Sequence, residues 1–336
     1  MVTLSTFAQT GNDPKMKTTR DAASQAIINL ARKDERIVVL DADLALSTKT
    51  IRFGNEFPHR FFDMGIQEKN MMGVAAGLST CNKIPIAATF AAFATGQVYN
   101  TVRQSIAYPK LNVKIYATHA GISVGGDGAT HQMLEDLALM RCLPNFTVLA
   151  PSDATETVKA MEAVIQYHGP TYLRIGREDE PELFTEFDDF KIGKGYVLVD
   201  GSDVTIAACG IMTKKALEAA RKLKDEGVSA RVLELPTIKP LDEATIEACA
   251  RDTGAIVTCE EHNIIGGMGS AVAEALSKRH PTPQEYVGVY DSFGESGNAR
   301  DLIEKYGLGH RHIMDAARRA LTRRGKPVSA TVPARR

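Results

Sequence analysis

A chain of 336 residues exceeds what one ordinary hydrophobic core organises, which points to two domains. Its 44% hydrophobic and 24% charged content is that of a globular protein, and a net charge of -1 leaves neither the footprint of a nucleic-acid binder nor a polybasic membrane signal. The longest apolar runs are strand-sized, too short to span a bilayer, and residues 1–19 lack the apolar core of a signal peptide, so no membrane partner and a cytoplasmic location are expected.

Residues 1–16, with Gly11, Asn12 and Pro14, read as a flexible lead-in. From there helical and strand patterns alternate. Residues 21–33 are amphipathic, with Ala22, Ala26, Ile27 and Leu30 on one face, and 37–40 form a β-branched run suited to a strand buried on both faces. A strand over 61–66 leads into a helix over 68–78 whose Gly73, Ala75, Ala76 and Gly77 permit close packing. A strand at 85–90, a helix at 95–107 and a strand at 113–118 follow. After a glycine loop come a helix at 132–142, a strand at 147–150, a helix at 153–167 capped by Ser152 or Asp153, and a strand at 171–175. Short apolar strands separated by helices predict a parallel sheet covered on both faces. Right-handed crossovers then collect the strand C-terminal ends on one edge, where Asp43, Gly65, Phe90, His119, Ser152 and Arg177 fall.

The acidic stretch 179–191, with Pro181, reads as a linker. A second α/β domain over 192–325 opens with a predicted hairpin, strands 195–199 and 204–209 about the Asp200-Gly201 turn. It continues with helices at 213–225, 242–251, 267–279, 299–305 and 311–323, and strands at 229–235, 255–259 and 286–290. Residues 326–336 read as a disordered tail. The fold class is therefore α/β, with two doubly wound domains. Cys81, Cys142, Cys209, Cys249 and Cys259 show no metal-like spacing and are expected mainly as buried free thiols.

Four stretches could carry chemistry. Glu68 is a carboxylate at a strand-to-helix junction, where parallel sheets place ligands, although a helix N-terminus attracts a carboxylate for electrostatic reasons alone. Phe90 and Phe93, three apart in TFAAFATG, either line a slot for a flat heterocycle or pack in the core. The loop HAGISVGGDGATH sets His119, Asp127 and His131 among four glycines. No GK[ST] follows, so it is no P-loop, and its polar groups either converge on a small hydroxylated ligand or decorate a surface loop. Arg20, Arg174 and Arg177 are suited to bidentate phosphate binding or to surface salt bridges.

With DADL at 41–44, FFDMGIQEKNMMGVAAGL, TFAAF, ATHAGISVGGDGATHQMLEDLALMRCLPN, APSDATE and TYLRIGRE, the chain from Lys17 to about Arg323 resembles the C-terminal half of transketolase, a thiamine diphosphate enzyme. The resemblance implies a pyrimidine-binding domain over 17–178 and a transketolase C-terminal domain over 192–325. It implies that Glu68 bonds N1′ of the aminopyrimidine, that Phe93 stacks on that ring with Phe90 lining the pocket, and that Asp43 and Gln97 lie near the cofactor. Arg20, Ser47, His119 and Arg177 match a sugar-phosphate set. Asp127 matches a residue that recognises a substrate hydroxyl, and His131 one that stabilises charge on oxygen. Ala120, Gly96 and Lys69 depart from the family pattern, which bears on the substrate more than on the cofactor.

The family's GDG…N motif for diphosphate and divalent metal has no counterpart here, since Gly126-Asp127-Gly128 belongs to the other loop. The implied arrangement is a split enzyme. A partner N-terminal subunit of about 270–300 residues would hold Mg²⁺ or a similar ion, in an α2β2 assembly acting on sugar phosphates. Alternative readings are the β subunit of a 2-oxo acid dehydrogenase E1 component, a carrier-linked ketol transferase, or a non-catalytic assembly paralogue.

Overall fold

The computed structural model describes residues 2–324, so the predicted tail lies outside the described residues. The principal strands of the first half are β1 (Ile37–Asp41), β2 (Phe61–Asp63), β3 (Ile84–Phe90), β4 (Lys114–Thr118), β5 (Thr147–Leu149) and β6 (Thr171–Arg174). Those of the second are β7 (Tyr196–Val199), β8 (Val204–Ala208), β9 (Ala230–Glu234), β10 (Thr237–Lys239), β11 (Ile256–Asn263) and β12 (Gln284–Val289). The first sheet runs β10-β5-β6-β4-β3-β1-β2. Strands β1 to β6 are mutually parallel, and β10, lent by the second half, pairs antiparallel to β5.

The two faces of this sheet follow the period-two rule. Ile37 and Val39 of β1 pack with Ala23, Ile27 and Ile28 of helix α1 (Thr19–Ala31) and with Met161 and Val164 of helix α3 (Ala154–Gln166). Val38 and Leu40 pack with Met71, Met72 and Ala75 of helix α2 (Glu68–Thr80). That second layer continues through Leu233, Leu235 and Ile238 into the other domain, so the two share one core. All five residues of β1 are buried, as a strand covered on both faces must be. The α3 helix is capped by Asp153, whose side chain accepts the Glu156 N–H.

The second sheet runs β7-β9-β8-β11-β12. It corrects the predicted hairpin: β7 pairs antiparallel with β9, and β9 lies between β7 and β8. All five residues of β8 are buried, and it needs parallel neighbours on both sides, which β9 and β11 supply. The chain at Gly201 passes so close to the start of β9 that a Cβ there would overlap the Ala230 carbonyl carbon.

The lead-in and the linker are structured and pair with each other. Val2–Leu4 lies antiparallel to Phe184–Phe187, and Met16–Thr18 to Asp179–Pro181. Strands of three or four residues are too short for periodicity to disclose. The helix expected over 95–107 is a short turn at Tyr99–Thr101 followed by a π-helix at Val102–Ala107. Of the five thiols, Cys209, Cys249 and Cys259 are buried as expected, whereas Cys81 and Cys142 are exposed. Among the described residues no helix is long and apolar enough to cross a membrane.

Candidate active site

The parallel strands deliver their C-terminal ends to one edge, and the singled-out side chains other than Arg174 lie on that edge or are bonded to it. Glu68 is the first residue of α2 and is only 3% exposed. Its carboxylate accepts a hydrogen bond from Gln97 Nε2 at 3.3 Å. Beside it, Asp63 Oδ1 at the end of β2 accepts the N–H of Asp43 at 3.1 Å and that of Gly65 at 2.9 Å, tying β2 to the turn after β1. Asp43 itself is exposed, with φ at 61°.

Under that turn sits Asp41, fully buried and not singled out from the sequence beyond its place in DADL. It accepts hydrogen bonds from Thr48 Oγ1 at 2.7 Å, Thr50 Oγ1 at 2.8 Å and the Leu44 N–H at 2.7 Å. Burial pushes its pKa up despite these donors. The network fixes the segment that carries Asp43 and Ser47.

An aromatic cluster follows β3. The Phe90 and Phe93 rings are 6.0 Å apart and 10° from parallel. His119, at the end of β4, stacks on Phe90 at 3.7 Å, and His131 sets its edge toward Phe93 at 5.4 Å. Thr118 Oγ1 bonds His119 Nδ1 and Thr130 Oγ1 bonds His131 Nδ1, at 2.8 and 2.9 Å. Phe90 is buried and Phe93 half-buried, so the cluster joins core to edge.

The cations form the third part. Arg20 donates to the Ser47 carbonyl at 2.8 Å and to the Arg177 carbonyl at 2.7 Å. Arg177 donates to the Val124 carbonyl at 2.6 Å and pairs with Asp127 at 3.3 Å. Burial first, then the charges of Arg20, Arg177, His131 and Lys49, push the His119 pKa down to about 3. A neutral imidazole ringed by cations suits an anionic ligand. Lys49, half-buried with φ at 69°, was not foreseen; nothing in a lone lysine after a serine and a threonine marks it.

Arg174 does not join the other arginines. It is buried between the two domains, paired with Asp136 at 2.8 Å and donating to the Glu261 carbonyl at 2.7 Å. Tyr172 completes that knot by donating to Asp136 at 2.8 Å. The difference is position: Arg174 is the last residue of β6 and stays in the sheet, whereas Arg177 lies beyond its end.

The buried Glu68 carboxyl, with one long hydrogen bond of its own, keeps capacity for a ligand nitrogen, and the near-parallel Phe90 and Phe93 rings after β3 suit a flat heterocycle. Among the described residues no group of three or more His, Cys, Asp or Glu could hold a metal ion.

Known proteins resemble this chain over most of its length. Residues 15–181 match the family model for the transketolase pyrimidine binding domain and 193–313 that for the transketolase C-terminal domain. A Methanocaldococcus jannaschii protein provisionally named a transketolase C-terminal section is 47% identical over 86% of this chain and 92% of its own. The 6-deoxy-6-sulfo-D-fructose transketolase subunit SqwH of a Clostridium species is 42% identical over 91% of this chain and 95% of its own. A solved split-gene transketolase, an inactive β4 tetramer, superposes with a TM-score of 0.85 at 54% identity, covering 90% of this chain and 98% of that one.

Proposed function

The chain belongs to the transketolase family, and on that premise we propose that it is the C-terminal half of a split, thiamine diphosphate-dependent ketol transferase. The reaction is transfer of a two-carbon ketol unit from a ketose phosphate to an aldose phosphate. The partner is an N-terminal subunit whose GDG…N motif holds the diphosphate and Mg²⁺, in an α2β2 assembly of the cytoplasm. When bound, thiamine diphosphate supplies a carbon nucleophile and an electron sink.

This chain's residues do the rest. Glu68 holds the proton at the pyrimidine N1′, a task for a buried carboxyl. Gln97 orients that carboxyl. Phe93 would stack on the ring with Phe90 lining the same pocket, and Asp43 would lie near the cofactor. Arg20, Ser47, Arg177 and neutral His119 grip the terminal anion of the sugar. Asp127 accepts from a substrate hydroxyl, and His131 stabilises charge developing on oxygen.

The observation that carries this reading is the gathering of Arg20, Arg177 and Lys49 about His119, with Arg20 also tying the Ser47 and Arg177 carbonyls together, on the sheet edge that Glu68 shares. A 2-oxo acid needs no such remote anion grip. A sulfonate would fill it as a phosphate does, and one relative is named for a sulfosugar. The test is an assay with the partner subunit, ribose 5-phosphate as acceptor, and either xylulose 5-phosphate or 6-deoxy-6-sulfofructose as donor. Turnover of an anion-terminated ketose is expected. Silence on all such donors, or decarboxylation of a 2-oxo acid instead, contradicts the proposal.

A further inference from the structure

The loop that carries Asp127 and His131 belongs to the first domain, yet the second domain holds it from two sides. From β11, Glu261 reaches across and its Oε1 accepts the Ser123 N–H at 2.6 Å. Gly121, at φ 86°, lies flush against that carboxyl, and a Cβ there would overlap it. No larger residue fits, and φ in this region disfavours one anyway. Glu261 is 2% exposed, and its Oε2 has no hydrogen-bond partner. Its own backbone is fixed by Arg174, which donates to its carbonyl at 2.7 Å.

The second hold comes from residues 294–297. Gln132 Nε2 donates to the Ile122 and Gly125 carbonyls within the loop, at 3.3 and 3.0 Å, and to the Glu295 carbonyl across the domain boundary at 2.8 Å. Ser296 Oγ donates to the Gly126 carbonyl at 2.5 Å. Val124, between these two holds, gives its carbonyl to Arg177 at 2.6 Å. The glycine loop is thus free in composition and fixed in place.

We propose that Glu261 is a positioning residue for the reaction: from the second domain it locks residues 121–128 in the one arrangement that presents Asp127 and His131 to the sugar. Burial pushes the Glu261 pKa up to about 7 against the pull of Arg174 and the Ser123 N–H, so what the loop needs from it is a buried acceptor oxygen rather than a charge. The catalytic consequence rests on the ketol-transfer reading; the mechanical one does not.

Hydrogen–deuterium exchange of the full chain reads the mechanical claim without substrate or partner. Glu261→Ala is expected to speed exchange in 121–128 about ten- to a hundredfold, the scale of a buried N–H left without an acceptor, with β1 and β3 unchanged. Glu261→Gln keeps an oxygen for the Ser123 N–H and is expected to stay within about threefold of wild type. In the assembled enzyme, E261A is expected to raise KM for the ketose phosphate about tenfold with a smaller fall in kcat, and E261Q to restore it. Should E261A not fold, E261D, one methylene shorter, is compared with E261Q in its place. Unchanged loop exchange in the shortened variant, or an equal change in E261Q, overturns the assignment. If the exchange results hold while wild-type enzyme ignores every ketose phosphate, the ketol-transfer reading falls and the positioning role stands.

Discussion

The His119 imidazole lies on the Phe90 ring with centroids 3.7 Å apart and planes 21° from parallel. An aromatic face covers one side of the imidazole, and Arg20 and Arg177 add positive charge nearby, so protonation is opposed by burial and by charge together.

His119 is therefore expected to stay neutral throughout the working range. With its pKa lowered from 6.5 to about 3, the folded chain refuses a proton that the unfolded chain accepts. The resulting stability is complete above the unfolded value and is lost as pH falls toward the folded one. Nitrogen chemical shifts of the ring should show one neutral tautomer from about pH 5 to 8. A titration near 6.5 would show that the ring is not enclosed as described.

A pair of buried carboxyls has the opposite sign. Glu156 of α3 and Glu234 of β9 are both buried at the domain boundary, and burial first, then the Glu234 charge, raises Glu156 well above the usual carboxylate range. Burial pushes both upward, Glu234 to about 7, and nearby Asp153 to about 6. The folded chain holds protons that the unfolded chain releases, so stability is expected to fall as pH rises from about 4.5 through 7. Glu234→Gln removes one of the groups that take up a proton on folding. Urea midpoints at pH 5.5 and 8 should lie closer together in the variant than in the wild type, with Glu156 and Asp153 keeping part of the difference, and a gain of about 1–3 kcal/mol at pH 8. A wild-type chain equally stable at both values would contradict this.

The legible parts of the sequence were those fixed by local chemistry. The alternation of β-branched runs with amphipathic helices announced the first sheet, and the shared edge placed Glu68, Phe90, His119 and Arg177 together. What stayed hidden depends on distant partners. The Asp200-Gly201 turn is a sound local hairpin signal, but β9, some thirty residues on, takes the place beside both β7 and β8. Likewise Arg174 and Arg177 look alike in RIGR, and only the end of β6 separates a core ion pair from an edge cation. Glu261 gave one signal that could have been read. It is a second consecutive carboxylate, Glu260-Glu261, directly after the apolar run 255–259, where burial requires a partner on another element.

Arg20 offers a test of the anion grip. Its guanidinium bonds the Ser47 and Arg177 carbonyls at once, which a lysine cannot reproduce. In the assembled enzyme, Arg20→Ala is expected to raise KM for the ketose phosphate about ten- to a hundredfold, with Arg20→Lys recovering little. The same variant should leave KM for unphosphorylated xylulose nearly unchanged. An equal loss on both donors would place Arg20 in general loop support rather than in the anion site.

The most direct measurement concerns Glu68. Ketol transfer is assayed with the chain alone, with the chain and its partner subunit, and with the Glu68→Gln chain and the partner. The expected result is silence for the chain alone, turnover for the pair, and a loss of about a hundredfold or more in the Glu68→Gln pair, the scale of general acid–base catalysis. Turnover by the unaided chain, or a Glu68→Gln assembly as active as wild type, would contradict the account.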